Sequence, residues 1–261
     1  MLLLIGLGLD IKDLSVKALE RLRDADEILL DSYTSTVSSG YIEFLEKETS
    51  GKVRNVGRAA LEEGIRATIA PAKSKNIAII VPGDPLVATT HHTILDEARK
   101  MGIDYEVIHA PSAFSVAIGE SGLDIYKFGP TATIPFWSEK YKPVSFIDTV
   151  KKNIENGEHT LLLLDINAAT GEPMEIETAM RLLAEADSER GYNIMTKERK
   201  LLILANLGRP DQRIAYVEAG AVDGNLSKSL KGKTISIIIP AKTNFAEEEA
   251  LAKYQWPISS S

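Results

Sequence analysis

Apolar positions along the chain come in two rhythms. Residues 2–5 (LLLI) form a continuous apolar run, as in a strand buried on both faces. Val16, Leu19, Leu22 and Ala25 then recur at helical spacing, with Asp13 or Ser15 available as N-cap. Residues 27–31 (EILLD) read as a second strand, 40–48 as a helix, 52–56 as a short strand and 61–70 as a helix. Another apolar run, 76–81, is a strand. Residues 89–101 read as a helix with Ile94, Leu95, Ala98 and Met101 on one face, Lys100 in its last turn and Gly102 just past it. Residues 105–109 close this half as a strand.

Strand and helix alternate, which predicts a mostly parallel sheet with helices on both faces. The second half repeats the class, with strands at 131–136, 160–165, 201–205, 214–217 and 235–239 and helices at 146–156, 176–186 and 247–254. Periodicity breaks between Gly119 and Pro130. The expectation is two α/β domains, residues 1–122 and 123–261.

Composition narrows the chemistry. The 261 residues are 44% hydrophobic and 26% charged, as in an ordinary globular protein with a sizeable core. A net charge of -7 disfavours direct nucleic-acid binding, which needs clustered Lys and Arg. There is no cysteine, which removes disulfides, thiolate catalysis and cysteine-held metals and points to a reducing, cytoplasmic setting. The start, MLLLIGLGLDI, meets Asp10 too early to be a membrane span or a signal peptide, and no other apolar run is long enough to cross a bilayer.

Candidate chemistry gathers where strands are expected to end. In an open α/β sheet, ligands bind beyond the carboxyl ends of the strands. Pro82-Gly83-Asp84-Pro85 follows the strand at 76–81, with two prolines restricting the backbone around a carboxylate and a glycine that tolerates φ values other residues cannot. The expected helix beyond it would offer free N–H groups near Thr89 and Thr90. An Asx-turn capping that helix accounts for Asp84 equally well. Gly6-Leu7-Gly8 follows the first strand, but Ile11 stands where a dinucleotide fingerprint needs a small residue. Asp31-Ser32-Tyr33-Thr34-Ser35 and His109-Ala110-Pro111-Ser112-Ala113 end two further strands with polar and small residues. His91 and His92 are adjacent and diverge by about 100° on a helix, so they do not chelate one metal, and no metal site is expected. No HExxH, GxSxG or Walker pattern occurs.

Taken together, "IGLGL" at the start, "YTS" from Tyr33, "GDPLVATTH" from Gly83, "HAPS" from His109, "IYKFG" from Ile125 and "HTLLLLDI" from His159 resemble the diphthine synthases. The resemblance runs in order along nearly the whole chain. It implies a tetrapyrrole-methylase-like fold, with two α/β domains and S-adenosylmethionine in a cleft between them. It implies an S-adenosylmethionine-dependent methyltransferase that trimethylates the amino group of the 3-amino-3-carboxypropyl-histidine of elongation factor 2, leaving S-adenosylhomocysteine. It also implies a homodimer that uses no metal. Carried over by motif, the cofactor contacts would be Leu9, Asp84, Val87, Ser112 and Ala113, with Leu164, Leu207 and Ile235 in the second half. At Ile235 the family often has a histidine; a backbone contact survives that exchange and a side-chain contact does not.

Such a reaction is an in-line displacement at an already activated methyl, which accounts for the lack of a recognisable catalytic dyad. No residue is singled out to take the proton from the attacking amine. The alternatives are a related methylase of the same fold acting on a tetrapyrrole or a ribosomal-RNA ribose, and a non-catalytic nucleotide-binding module.

Overall fold

The computed structural model of the chain describes residues 1–31, 37, 39–167 and 170–256. Tyr33, Thr34 and Ser35 of the sequence match lie outside the described residues. Contacts between Cα positions gather the chain into two units, one built on Met1–Ala113 and the other on Phe114–Asn167 and residues 172–256.

The first unit holds β1 (Leu2–Gly6), α1 (Val16–Arg23), β2 (Glu27–Asp31), α2 (Ser39–Glu48), β3 (Val53–Val56), the short helices α3 (Arg58–Leu61) and α4 (Ile65–Ile69), β4 (Ile77–Val81), α5 (His92–Lys100) and β5 (Tyr105–Ile108). Its sheet has the order β3-β2-β4-β1-β5, with every pair parallel. Alternation along the strands sorts the core into two layers. Leu2, Leu4, Ile77 and Ile79 pack with Leu61, Ile69, Ile94 and Ala98 on one face, and Leu3, Ile5, Ala78 and Ile80 pack with Ala18, Leu22, Tyr41 and Leu45 on the other. Each large aliphatic chain so buried contributes about 1.5–3 kcal/mol. Helix α1 thus leaves β1 over one face, and α5 leaves β4 over the opposite face. β1 and β4 are neighbours in register, Gly6 beside Val81. Their connections diverge, so the crevice expected at a topological switch point lies between these two strand ends.

Local sequence explains two departures in this unit. The helix expected over 61–70 is two short helices, because Gly64 stands between them and its N–H turns back to the Ala59 carbonyl at 2.7 Å. The helix expected from Thr89 begins at His92. Before it, Ala88 is left-handed at φ 56° and Thr89 Oγ1 donates to the Pro85 carbonyl at 2.8 Å, so residues 85–91 form a turn instead.

The second unit holds α6 (Ala113–Ser121), β6 (Ala132–Ile134), α7 (Ser145–Asn156), β7 (Thr160–Leu164), α8 (Ile176–Arg190), β8 (Lys200–Ala205), β9 (Arg213–Glu218), α9 (Gly224–Leu230), β10 (Ile235–Ile239) and α10 (Phe245–Ala252). Phe146, Val150, Leu182, Leu183, Leu226 and Leu230 cover one sheet face through Leu162, Ile203 and Ile237. The sheet order is β6-β7-β10-β8-β9, and only β6–β7 is parallel. The expectation of a mostly parallel sheet therefore holds for the first unit and is corrected for the second. β8 and β9 are joined by residues 206–212 without a helix, and so short a connection can only make an antiparallel pair. β6 stops at Ile134 because Pro135 has no N–H for the ladder. The boundary expected at 122/123 compares with a contact grouping that changes after Ala113. Helix α6 belongs with the second unit: a Cβ on Gly122 would come 2.5 Å from the Ala250 side chain, and Tyr254 Oη donates to the Glu120 carbonyl.

Candidate functional site

Three loops knit together at the carboxyl edge of the first sheet. Gly8 and Gly83 pair like antiparallel strand residues, with N–H···O distances of 3.2 and 2.8 Å, and both are left-handed, at φ 73° and 75°. Only glycine adopts that backbone without penalty. Gly6 is required for a different reason. A Cβ there would lie 2.7 Å from the Gly83 carbonyl oxygen and 2.9 Å from both Pro85 Cδ and Ala110 Cβ. The glycine turns, the Pro-Gly-Asp-Pro turn and the segment after β5 therefore close over a residue with no side chain.

Asp84 fastens this rim. Its Oδ1 accepts from the Leu86 N–H at 2.9 Å, which is the Asx-turn. Its Oδ2 accepts from the Ala110 N–H at 3.1 Å and from His109 Nδ1 at 2.8 Å. The carboxylate is buried, and it joins the exit of β4 to the exit of β5 across β1. The Asx-turn reading of Asp84 is therefore seen, and the same carboxylate also ties the two strand exits together.

The first loop is held from below. Asp13 Oδ2 accepts from the N–H groups of Leu9 and Asp10, and Tyr41 Oη donates to the Leu7 carbonyl at 2.5 Å. Burial, then the nearby Asp13 and Asp10 carboxylates, push the Tyr41 phenol well above its usual range, so it stays a donor. A second histidine–carboxylate couple lies behind the rim. His91 Nδ1 is 3.1 Å from the Pro85 carbonyl and its Nε2 is 3.3 Å from Asp31 Oδ2, with both side chains buried. Adjacent His91 and His92 thus divide: His91 faces inward and His92 is exposed.

Leu9, Val87 and Ala113 are half-buried, and Asp84 and Ser112 are buried, all on segments that leave β1, β4 and β5 at this one edge. Gly83 packs against Ser112, with 3.8 Å from an added Cβ to Ser112 Cα.

In the second unit, Leu164, Leu207 and Ile235 come together for a reason the sequence hides. β10 runs antiparallel to both β7 and β8, with Ser236 opposite Leu163 and Ile235 opposite Ala205. The start of β10 therefore lies beside the ends of β7 and β8. Asn206, left-handed at φ 47°, ties that edge: its N–H donates to the Thr234 carbonyl, and its Oδ1 accepts from the Thr234 N–H at 3.0 Å. A lone Asn before Leu-Gly was the available signal for it.

Sequence reasoning found the strand-end segments but not the couples within them. His109 as the partner of Asp84 and Asp31 as the partner of His91 were missed, because sequence separation hides both pairings. Among the described residues, no group of three or more His, Asp or Glu side chains is placed to hold a metal ion.

Comparison with known proteins fits this architecture. Residues 1–223 match the family model of tetrapyrrole (corrin/porphyrin) methylases. The chain is 35% identical to a diphthine synthase of Methanococcus maripaludis over 252 residues, covering 96% of this chain and 97% of that one. It is 35% identical to the diphthine synthase of Methanocaldococcus jannaschii over 254 residues, with 96% and 97% covered. A crystal structure of a diphthine synthase superposes with a TM-score of 0.84 at 34% identity, covering 98% of this chain and 96% of that one. The chain belongs to the tetrapyrrole (corrin/porphyrin) methylase family, within its diphthine synthase group.

Proposed function

We propose that this chain transfers methyl groups from S-adenosylmethionine to the amino group of the 3-amino-3-carboxypropyl-histidine of elongation factor 2, ending at the trimethylammonium product. Its family makes it a methyltransferase of diphthamide biosynthesis. The finer reading is supported above all by end-to-end similarity to diphthine synthases, which extends through the strand-end segments.

The residues of the rim suit the donor. S-adenosylmethionine has apolar adenine and methylene parts, polar ribose and amino-acid groups, and a cationic sulfur. Leu9, Val87 and Ala113 offer half-buried apolar surface, Ser112 a hydroxyl, and the Gly83 turn a backbone approachable without a Cβ. On this reading Leu9, Asp84, Val87, Ser112 and Ala113 hold the donor, Asp84 by fixing the turn. Leu164, Leu207 and Ile235 are the second unit's share, with Ile235 acting through its backbone. When bound, the donor supplies a methyl group already activated by a sulfonium, so the protein supplies position and a route for protons. A homodimer belongs to the same proposal.

Labelled S-adenosylmethionine is incubated with the chain and elongation factor 2 carrying the aminocarboxypropyl histidine. Label on that factor alone is expected. Label on a tetrapyrrole or on ribosomal RNA, or on nothing, contradicts the reading.

A further inference from the structure

The chain has four histidines, and three of them are unsuited to exchange protons with a bound substrate. His159 is sealed in the second unit, with Nε2 on Glu247 and Nδ1 accepting from the Ala241 N–H. His91 is buried between Pro85 and Asp31. His92 is on the first turn of α5, beyond the rim.

His109 differs. It leaves β5 at the edge that carries Leu9, Val87 and Ser112. Its side chain is 66% exposed, while that of its partner Asp84 is 6% exposed. Two backbone N–H groups already point at the Asp84 carboxylate, which therefore accepts from Nδ1. The neutral ring keeps its proton on Nδ1 and its lone pair on Nε2, on a ring open to solvent. An exposed imidazole with orientation and tautomer fixed by a buried carboxylate is the arrangement of a general base.

The proposed reaction needs one, and the inference rests on that reading. An ammonium nitrogen has no lone pair, so one proton must leave before each transfer and three before the trimethylammonium product. We propose that His109 Nε2 accepts this proton from the substrate ammonium, with Asp84 as its positioning residue. In each cycle an N–H bond of the substrate breaks, its electron pair stays on nitrogen, and Nε2 gains the proton. The amine then forms its bond to the methyl carbon as the carbon–sulfur bond breaks, and that electron pair goes to sulfur. The imidazolium loses its proton to solvent before the next cycle.

The test uses two variants of the full chain. In His109→Asn the side-chain amide can still donate to Asp84 but cannot act as a base. Single-turnover transfer to the modified factor should fall about 10²- to 10⁴-fold. Affinity for S-adenosylhomocysteine, read by calorimetry, should change less than about tenfold. In His109→Ala, added imidazole should restore part of the rate. An unchanged rate in His109→Asn overturns the proposal. So does a joint loss of rate and affinity with no imidazole rescue, which makes His109 a loop staple. A wild-type chain that binds S-adenosylhomocysteine and labels no factor removes the diphthine reading itself; a wild type that labels the factor beside an unimpaired His109→Asn removes only this inference.

Discussion

Among the described residues three histidine–carboxylate couples occur. His91–Asp31 is buried in the first unit. The other two, His159–Glu247 in the second unit and His109–Asp84 in the first, use the same groups to opposite ends. In the second unit His159 lies immediately before β7 and Glu247 in the first turn of α10, and both are buried. Every arm of this couple is occupied. Glu247 accepts from His159 Nε2 at 3.0 Å, from Lys127 Nζ at 2.5 Å and from the N–H groups of Asp124 and Asn244. Burial pushes the Glu247 carboxyl up, but these donors outweigh it and hold it at about 2. Burial pushes the His159 imidazole below its ordinary range, against the pull of Glu247, so the ring is neutral and serves as a fixed donor. In the first unit the carboxylate Asp84 is buried too, but its histidine is open. A sealed couple fastens chain segments together. A couple with one open end can also exchange protons with what lies outside it.

Removing Glu247 should give the largest effect on stability. Glu247→Gln leaves Lys127 without its carboxylate in a buried cluster and should cost about 3–5 kcal/mol. Denaturant unfolding measures this, while S-adenosylhomocysteine affinity at temperatures where the variant is folded should be unchanged. If affinity falls with stability, the division between a structural and a functional couple is wrong.

Asp84→Ala should show the converse. It leaves the Leu86 and Ala110 N–H groups and His109 Nδ1 without their acceptor, and the rim loosens. At about 1.5–3 kcal/mol for a charge-assisted site, calorimetry should read a 10- to 150-fold weaker affinity for S-adenosylhomocysteine. Unchanged affinity in a folded variant removes Asp84 from the site.

Acid should sharpen the contrast. His159 titrates lower in the fold than its ordinary 6.5, so the unfolded chain takes up that proton first and stability declines as pH falls below 6.5. Glu247 is depressed from 4.5 to about 2, so a further loss follows as pH falls from 4.5 towards 2. Unfolding curves recorded across this range should show both declines in the wild type, and in Glu247→Gln the second should be smaller.

The smallest effect is expected at Gly83→Ala. An added Cβ has room, with Ser112 Cα as its nearest neighbour at 3.8 Å, so only the left-handed backbone at φ 75° is penalised, by about 1–2 kcal/mol. Gly6→Ala should cost more, because its Cβ meets the Gly83 carbonyl and Pro85 directly. Thermal unfolding of the two variants ranks them, and the reverse order would contradict the packing of the three loops.

Much of the first unit was legible. Runs such as LLLI and IAIIV are buried on both faces, and helices between them force a parallel sheet. From strand order to switch point, the candidate rim then follows. The second sheet was not legible in the same way. TLLLL, KLLILA and ISIII carry the same apolar signal whichever way they run, and direction decides that Ile235 lies beside Leu164 and Leu207. Helix α6 escaped because AFSVAIGES is apolar on most sides and lacks a clear stripe. The helix from Thr89 was placed too early because spacing alone could not reveal the turn that Asp84, Thr89 and His91 impose. His109 escaped because its partner is 25 residues away, and only the adjacency of β1, β4 and β5 brings them to one edge.

On the proposed function, the methyl donor is held at the carboxyl edge of the first sheet, where β1 and β4 diverge. The decisive experiment is a crystal structure of the chain with S-adenosylhomocysteine. The ligand is expected against Leu9, Val87, Ser112 and Ala113, with the His109–Asp84 couple on the same rim; a ligand seated away from these strand ends, or at the sealed His159–Glu247 couple, would contradict it.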